Sequence, residues 1–97
     1  MTAEQTSQIL SRLKVDLSIK GTTAYDERLS QIIESAYENI IREGASTLDA
    51  DNEGDIQLIV MYSAWLWNGR RTGDKMYQML RWTLNNRIFS EKANQNG

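Results

Sequence analysis

Three groups of residues in this chain have the types and spacing to support chemistry. The first is Asp49-Ala50-Asp51-Asn52-Glu53-Gly54-Asp55-Ile56, with oxygen ligands at positions one, three and five, glycine at six and an aliphatic residue at eight, as in a calcium loop. Position twelve, where a bidentate Glu closes the cage, is Val60, so the strongest ligand is missing. The run reads instead as a solvated acidic loop whose Asp residues gather at the N-terminus of the next helix, where the dipole favours them. The second group is the carboxylates Asp26, Glu27, Glu34 and Glu38. Acid–base work needs two carboxyls whose surroundings push their pKa values apart, and these four fall on the polar side of one amphipathic helix. The third is Trp65, Trp67 and Trp82 with Arg70, Arg71, Arg81 and Arg87, an aromatic and basic set of the kind that holds single-stranded nucleic acid. The Trp residues sit at helical spacing inside apolar runs, so core or subunit interface is the stronger reading. Arg, planar and many-donored, suits charged protein interfaces equally well.

Composition narrows the chemistry further. With no Cys and no His there is no disulfide, no nucleophilic triad, no histidine acid–base catalysis and no good ligand for zinc. A non-enzymatic chain that needs no cofactor and no metal is expected. Its 97 residues allow one domain, of a size that buries only about 60 to 65% of its unfolded surface. Nothing in it staples so small a core. The net charge of −2 hides an uneven distribution: residues 1–55 carry five Lys/Arg against eleven Asp/Glu, and residues 56–97 carry six against two. A pI near 5.0 argues against nucleic acid as the main partner. An acidic half beside a basic half suits copies packing head to tail, the contact that closes into rings.

Zero Pro fits helices joined by short turns. The pattern predicts an all-α, compact bundle of four helices, at about 2–17, 24–43, 54–68 and 74–89, with a polar loop at 45–55. Thr2 and Gln5 have capping-box spacing, and Ile9, Leu10, Leu13 and Leu17 share one face behind them. A turn at Ser18 to Thr23 follows, with Gly21 as breaker. Leu29, Ile32, Ile33, Ala36, Tyr37, Ile40 and Ile41 form the clearest amphipathic stripe, started by Thr23 with Asp26 and stopped by Gly44. The third helix is apolar on nearly every side from Ile56 to Trp67, which demands burial all round and is hard to satisfy with only three other helices. Asn68-Gly69 is expected to end it, and Arg70-Arg71-Thr72-Gly73 to turn. In the fourth helix Met76, Tyr77, Leu80, Leu84 and Ile88 form the core stripe, while Met79, Trp82 and Phe89 lie off it. Residues 1–89 are thus expected to form the single helical domain and 90–97 a flexible polar tail. The N-terminus has no basic and apolar signal pattern and no apolar run reaches the ~20 residues of a membrane span, so a soluble chain made in the cytoplasm is expected.

The order of these motifs resembles a known family. Leu13-Lys14-x-x-Leu17-x-Ile19, a turn, then Asp26-x-x-Leu29-x-x-x-Ile33-x-x-Ala36-x-x-x-Ile40 is similar to the opening of the small head–tail connector (adaptor) or DNA-packaging proteins of tailed bacteriophages. A hydrophobic helix with Tyr62, Ala64 and Trp65, then Arg70-Arg71-Thr72-Gly73 and Met79-Leu80-Arg81-x-x-Leu84-Asn85-Asn86-Arg87, is similar to the family's second half. The acidic loop at 45–55 has no counterpart in that pattern.

The resemblance implies a virion protein, synthesised in the host bacterial cytoplasm, that forms a ring of about a dozen copies below the portal protein. Such a ring extends the DNA channel, lets DNA pass without sequence-specific binding, and joins the capsid to a tail or head-completion protein. No membrane is involved. Neighbouring copies would cover the apolar excess of helices three and four. Trp67, Arg70 and Arg71 are the expected subunit or portal contacts, with Arg81 and Arg87 on the same or an adjacent face. Asn85 and Asn86 would bond across helices or cap the fourth. Glu34 and Glu38, or the loop at 45–55, would line the channel, where negative charge keeps DNA from sticking. Two other classes share this size and charge: a small helical regulator that binds a host protein, and a weak DNA-binding module.

Overall fold

Thr2 accepts a hydrogen bond from the Gln5 amide through Oγ1 while the Gln5 side chain accepts from the Thr2 amide, and this closed capping box starts α1, Ala3–Asp16. The computed structural model describes residues 1–72, 76 and 78–96, and leaves the side chains of 70–72 and 94–96 outside the description. Helix α2 is Asp26–Glu43, α3 is Glu53–Thr72 and α4 is Gln78–Asn96. No strand occurs among the described residues. The expected all-α bundle of four helices is what the chain forms.

Helix α1 ends with Ser18 at φ +60°, a left-handed position that lets the Ser18 and Ile19 amides reach Val15 and Lys14 carbonyls. Helix α2 starts at Asp26 rather than 24, without a side-chain cap. Its end is the one expected: Gly44 at φ +135° lets the Gly44 amide bond to Ile41 and the Ala45 amide to Ile40. The same glycine lies under α4, since a Cβ there would stand 3.0 Å from Ile88.

Helix α3 is the centre of the molecule. It packs against α1, α2 and α4, and its Ile56, Leu58, Ile59, Val60, Tyr62 and Leu66 share one core with Leu80 and Leu84 of α4. Leu48, Ala45 and Ala50 of the connecting loop close the remaining side, each almost fully buried. Most of α3 is enclosed by its own chain, while Met61, Ala64, Trp65 and Trp67 are only partly buried.

Two boundaries also differ from the reading of the sequence. Helix α3 runs through Asn68-Gly69 to Thr72, because Gly69 serves close packing, not termination; a Cβ there would meet the Trp65 indole at 2.8 Å. The expected fourth-helix start at Asp74 lies outside the described residues. Its end is corrected from Phe89 to Asn96, so residues 90–96 are helix and not a loose tail, held by a buried Glu91. The Cα extents are 46 × 31 × 17 Å, a plate about two helices thick.

Candidate assembly surface

Two polar anchors set how α4 is presented. At its C-terminal half Arg87 donates from Nε to Asp55 Oδ1 at 2.8 Å and from Nη1 to Glu91 Oε2 at 3.1 Å, four residues further along the same helix. Glu91 in turn accepts from Ser46 Oγ at 2.6 Å, from the Thr47 amide at 2.9 Å and from the Thr47 hydroxyl. Those bonds, from Ser46 first, then Thr47 and Arg87, hold the Glu91 carboxyl down to about 2. Asp55 also accepts the Asp49 amide at 3.0 Å, so one guanidinium joins the loop, the start of α3 and the end of α4. This clasp stabilises what the sequence presents only as a solvated acidic loop.

Several of the loop's side-chain oxygens are engaged within the chain. Asp49 Oδ1 accepts the Asp51 amide, Asn52 Oδ1 accepts the Asp55 amide as an N-cap of α3, and Asp55 belongs to Arg87. No group of three metal-ligating side chains forms among the described residues. The second anchor is Arg81, 3.6 Å from Glu43 at the end of α2. It is an exposed pair and worth little by itself.

Around these anchors α4 turns a face outward that nothing among the described residues covers. Met79, Trp82 and Phe89 are 59%, 64% and 73% exposed, at i, i+3 and i+10, with exposed Asn86 between them. Together they present about 400 Å² of apolar surface, the size at which a monomer's largest patch is usually functional. Asn85 is exposed beside them.

A second feature lies between α2 and α3, an open groove of about 740 Å³. Ile32, Leu66 and Trp67 supply its apolar wall, while Arg28, Gln31 and Ser35 form its α2 edge. Tyr25 closes one end edge-on to Trp67, with ring centroids 5.6 Å apart at 72°.

The residues singled out from sequence are thus dispersed. Trp67 lines the groove, half-buried. Arg81 is at the surface, and the side chains of Arg70 and Arg71 lie outside the described residues. Arg87 donates to Asp55, Glu91 and Thr47 within the chain. Glu34 is half-buried and accepts from Thr6 of α1 at 2.9 Å, whereas Glu38 is exposed. Trp65 packs inward, edge-on to Tyr62 at 5.5 Å. Sequence reasoning flagged Met79, Trp82 and Phe89 as off the core stripe but did not name them as the site; it missed the groove and Glu91 entirely.

No family model, curated protein or solved structure matches the chain. No helix among the described residues is long and apolar enough to cross a membrane.

Proposed function

We propose that this chain is a non-enzymatic structural subunit that assembles with copies of itself into a ring, as a head–tail connector of a tailed bacteriophage. The observation that carries the reading is the exposed Met79, Trp82 and Phe89 face of α4, presented on a helix whose C-terminal half is clasped to the rest of the chain. A face of that size on so small a domain is a surface for protein. Two further features support it: a chain without His or Cys is poorly equipped for catalysis, and its acidic and basic halves suit head-to-tail packing. In this reading the ring sits below the portal, extends the DNA channel, and passes DNA without reading its sequence.

The test is mass measurement in solution, with and without an isolated portal ring. Binding to the portal ring with recruitment of many copies is the expected result. A chain that binds no portal, whatever its own oligomeric state, is not a connector.

A further inference from the structure

We infer that the α4 face of one copy docks into the α2–α3 groove of the next, with the two helices side by side in parallel register. The proposal rests on the assembly reading above and names the two surfaces that meet. Each is apolar along its centre, and each carries its charge at a matching distance. On α4, Trp82 is followed by Phe89 seven residues later and by Lys92 ten residues later, all within 80° of one another on a helical wheel. On α2, Arg28 and Ser35, seven residues apart, line the groove edge with Gln31, and exposed Glu38 follows one turn beyond Ser35, ten residues from Arg28 and just past the lining. Ten residues span about 15 Å in both helices. Laid parallel, the Arg28 guanidinium covers the Trp82 indole, Phe89 enters beside Ser35 against Ile32 and Leu66, and Lys92 meets Glu38. An antiparallel placement would set Lys92 on Arg28 and is disfavoured by like charge.

The stripe and the groove are different patches, so the contact is heterologous, and each copy keeps one free stripe and one free groove for the next neighbour. A single joint is small against the ~800 Å² per partner of a stable pair. Pairs are therefore weak, and a closed assembly gains its stability from many joints made together. In this arrangement Glu38 belongs to the joint between copies and not to the wall of the channel.

The absence of native Cys makes the test direct. Lys92→Cys protein mixed with Glu38→Cys protein, oxidised at a concentration where the unaltered chain oligomerises, is expected to give disulfide-linked mixed dimers in excess over either self-linked species. Lys92→Glu and Glu38→Lys alone should each lower association about threefold, and a mixture of the two should restore it. Phe89→Glu should lower it at least about tenfold while leaving the helical circular dichroism unchanged. Self-linked Lys92→Cys dimers as the main product would overturn the proposal in favour of a symmetric stripe-to-stripe contact. Oligomers that form without the mixed crosslink overturn the groove assignment and leave the assembly reading standing. A chain that forms no oligomer with or without portal removes both.

Discussion

Helices α3 and α4 carry the same excess in their sequences, more apolar residues than one face can use, and the chain treats the two differently. Every large aliphatic of α3 from Ile56 to Leu66 is buried, because α1, α2, α4 and the 45–50 loop surround it. Helix α4 is covered on its inner side only, by α3, the end of α2 and the loop at Ser46 and Thr47, so Leu80 and Leu84 are fully buried while Trp82 and Phe89 stand in solvent. The difference is one of position in the fold, not of composition. An apolar residue in the centre supports the fold; the same residue on a peripheral helix is left for another molecule.

The contrast predicts opposite behaviour on truncation. Leu58→Ala in α3, which removes a side chain only 1% exposed, should cost about 3 kcal/mol in denaturant unfolding, as large-to-small changes in packed cores do. Breaking the clasp comes next. Arg87→Ala leaves Asp55 and Glu91 without their cation and should cost about 3 kcal/mol or a little less, with Arg87→Lys recovering only part because a single ammonium cannot bridge both carboxylates.

The clasp also gives acid sensitivity a definite sign. Glu91 is held down to about 2 from an ordinary 4.5, so its ionised form stabilises the folded chain fully above pH 4.5, and that contribution is lost as pH falls from there toward 2. The thermal midpoint should decline over this window, and Glu91→Gln should flatten that part of the profile. A wild-type profile flat between 4.5 and 2 would show that the clasp contributes nothing.

Gly44→Ala should cost about 1 to 2 kcal/mol, from the left-handed backbone and the approach of Ile88 at 3.0 Å. The smallest effect sharpens the comparison most. Trp82→Ser on α4 should change unfolding free energy by about 0.5 kcal/mol or less while greatly reducing association. A loss as large as that of Leu58→Ala would mean that α4's outer face supports the fold after all.

What the sequence made legible was local. The Thr2/Gln5 box, the stripe from Leu29 to Ile41 and the Gly44 stop each depend on residues within one or two turns, and each stands where the spacing puts it. The all-round apolar character of α3 signalled more burial than it has: its aliphatics are enclosed, while Met61, Ala64, Trp65 and Trp67 are only partly buried, and periodicity contains no information on what covers the remainder. Gly69 was misread because a glycine that ends a helix and one that admits a neighbouring indole look alike in one dimension. Glu91 was invisible for a related reason: its burial depends on Ser46 and Thr47, more than forty residues away, and an isolated Glu in a polar run carries no sign of such partners. The candidate surface was half legible, since Met79, Trp82 and Phe89 fell off the core stripe, while the groove needs two helices to exist.

The clasp at the end of α4 has a consequence for association entropy. A helix that had to order on meeting its partner would lose part of the gain from burying Trp82 and Phe89, about 0.5 to 1.5 kcal/mol for each side chain immobilised and more for the backbone. With Arg87 and Glu91 already locked to the loop, the backbone share of that ordering is complete before any encounter, and only the side chains remain to be fixed. The cluster that contributes nothing to the outward face makes that face cheap to use.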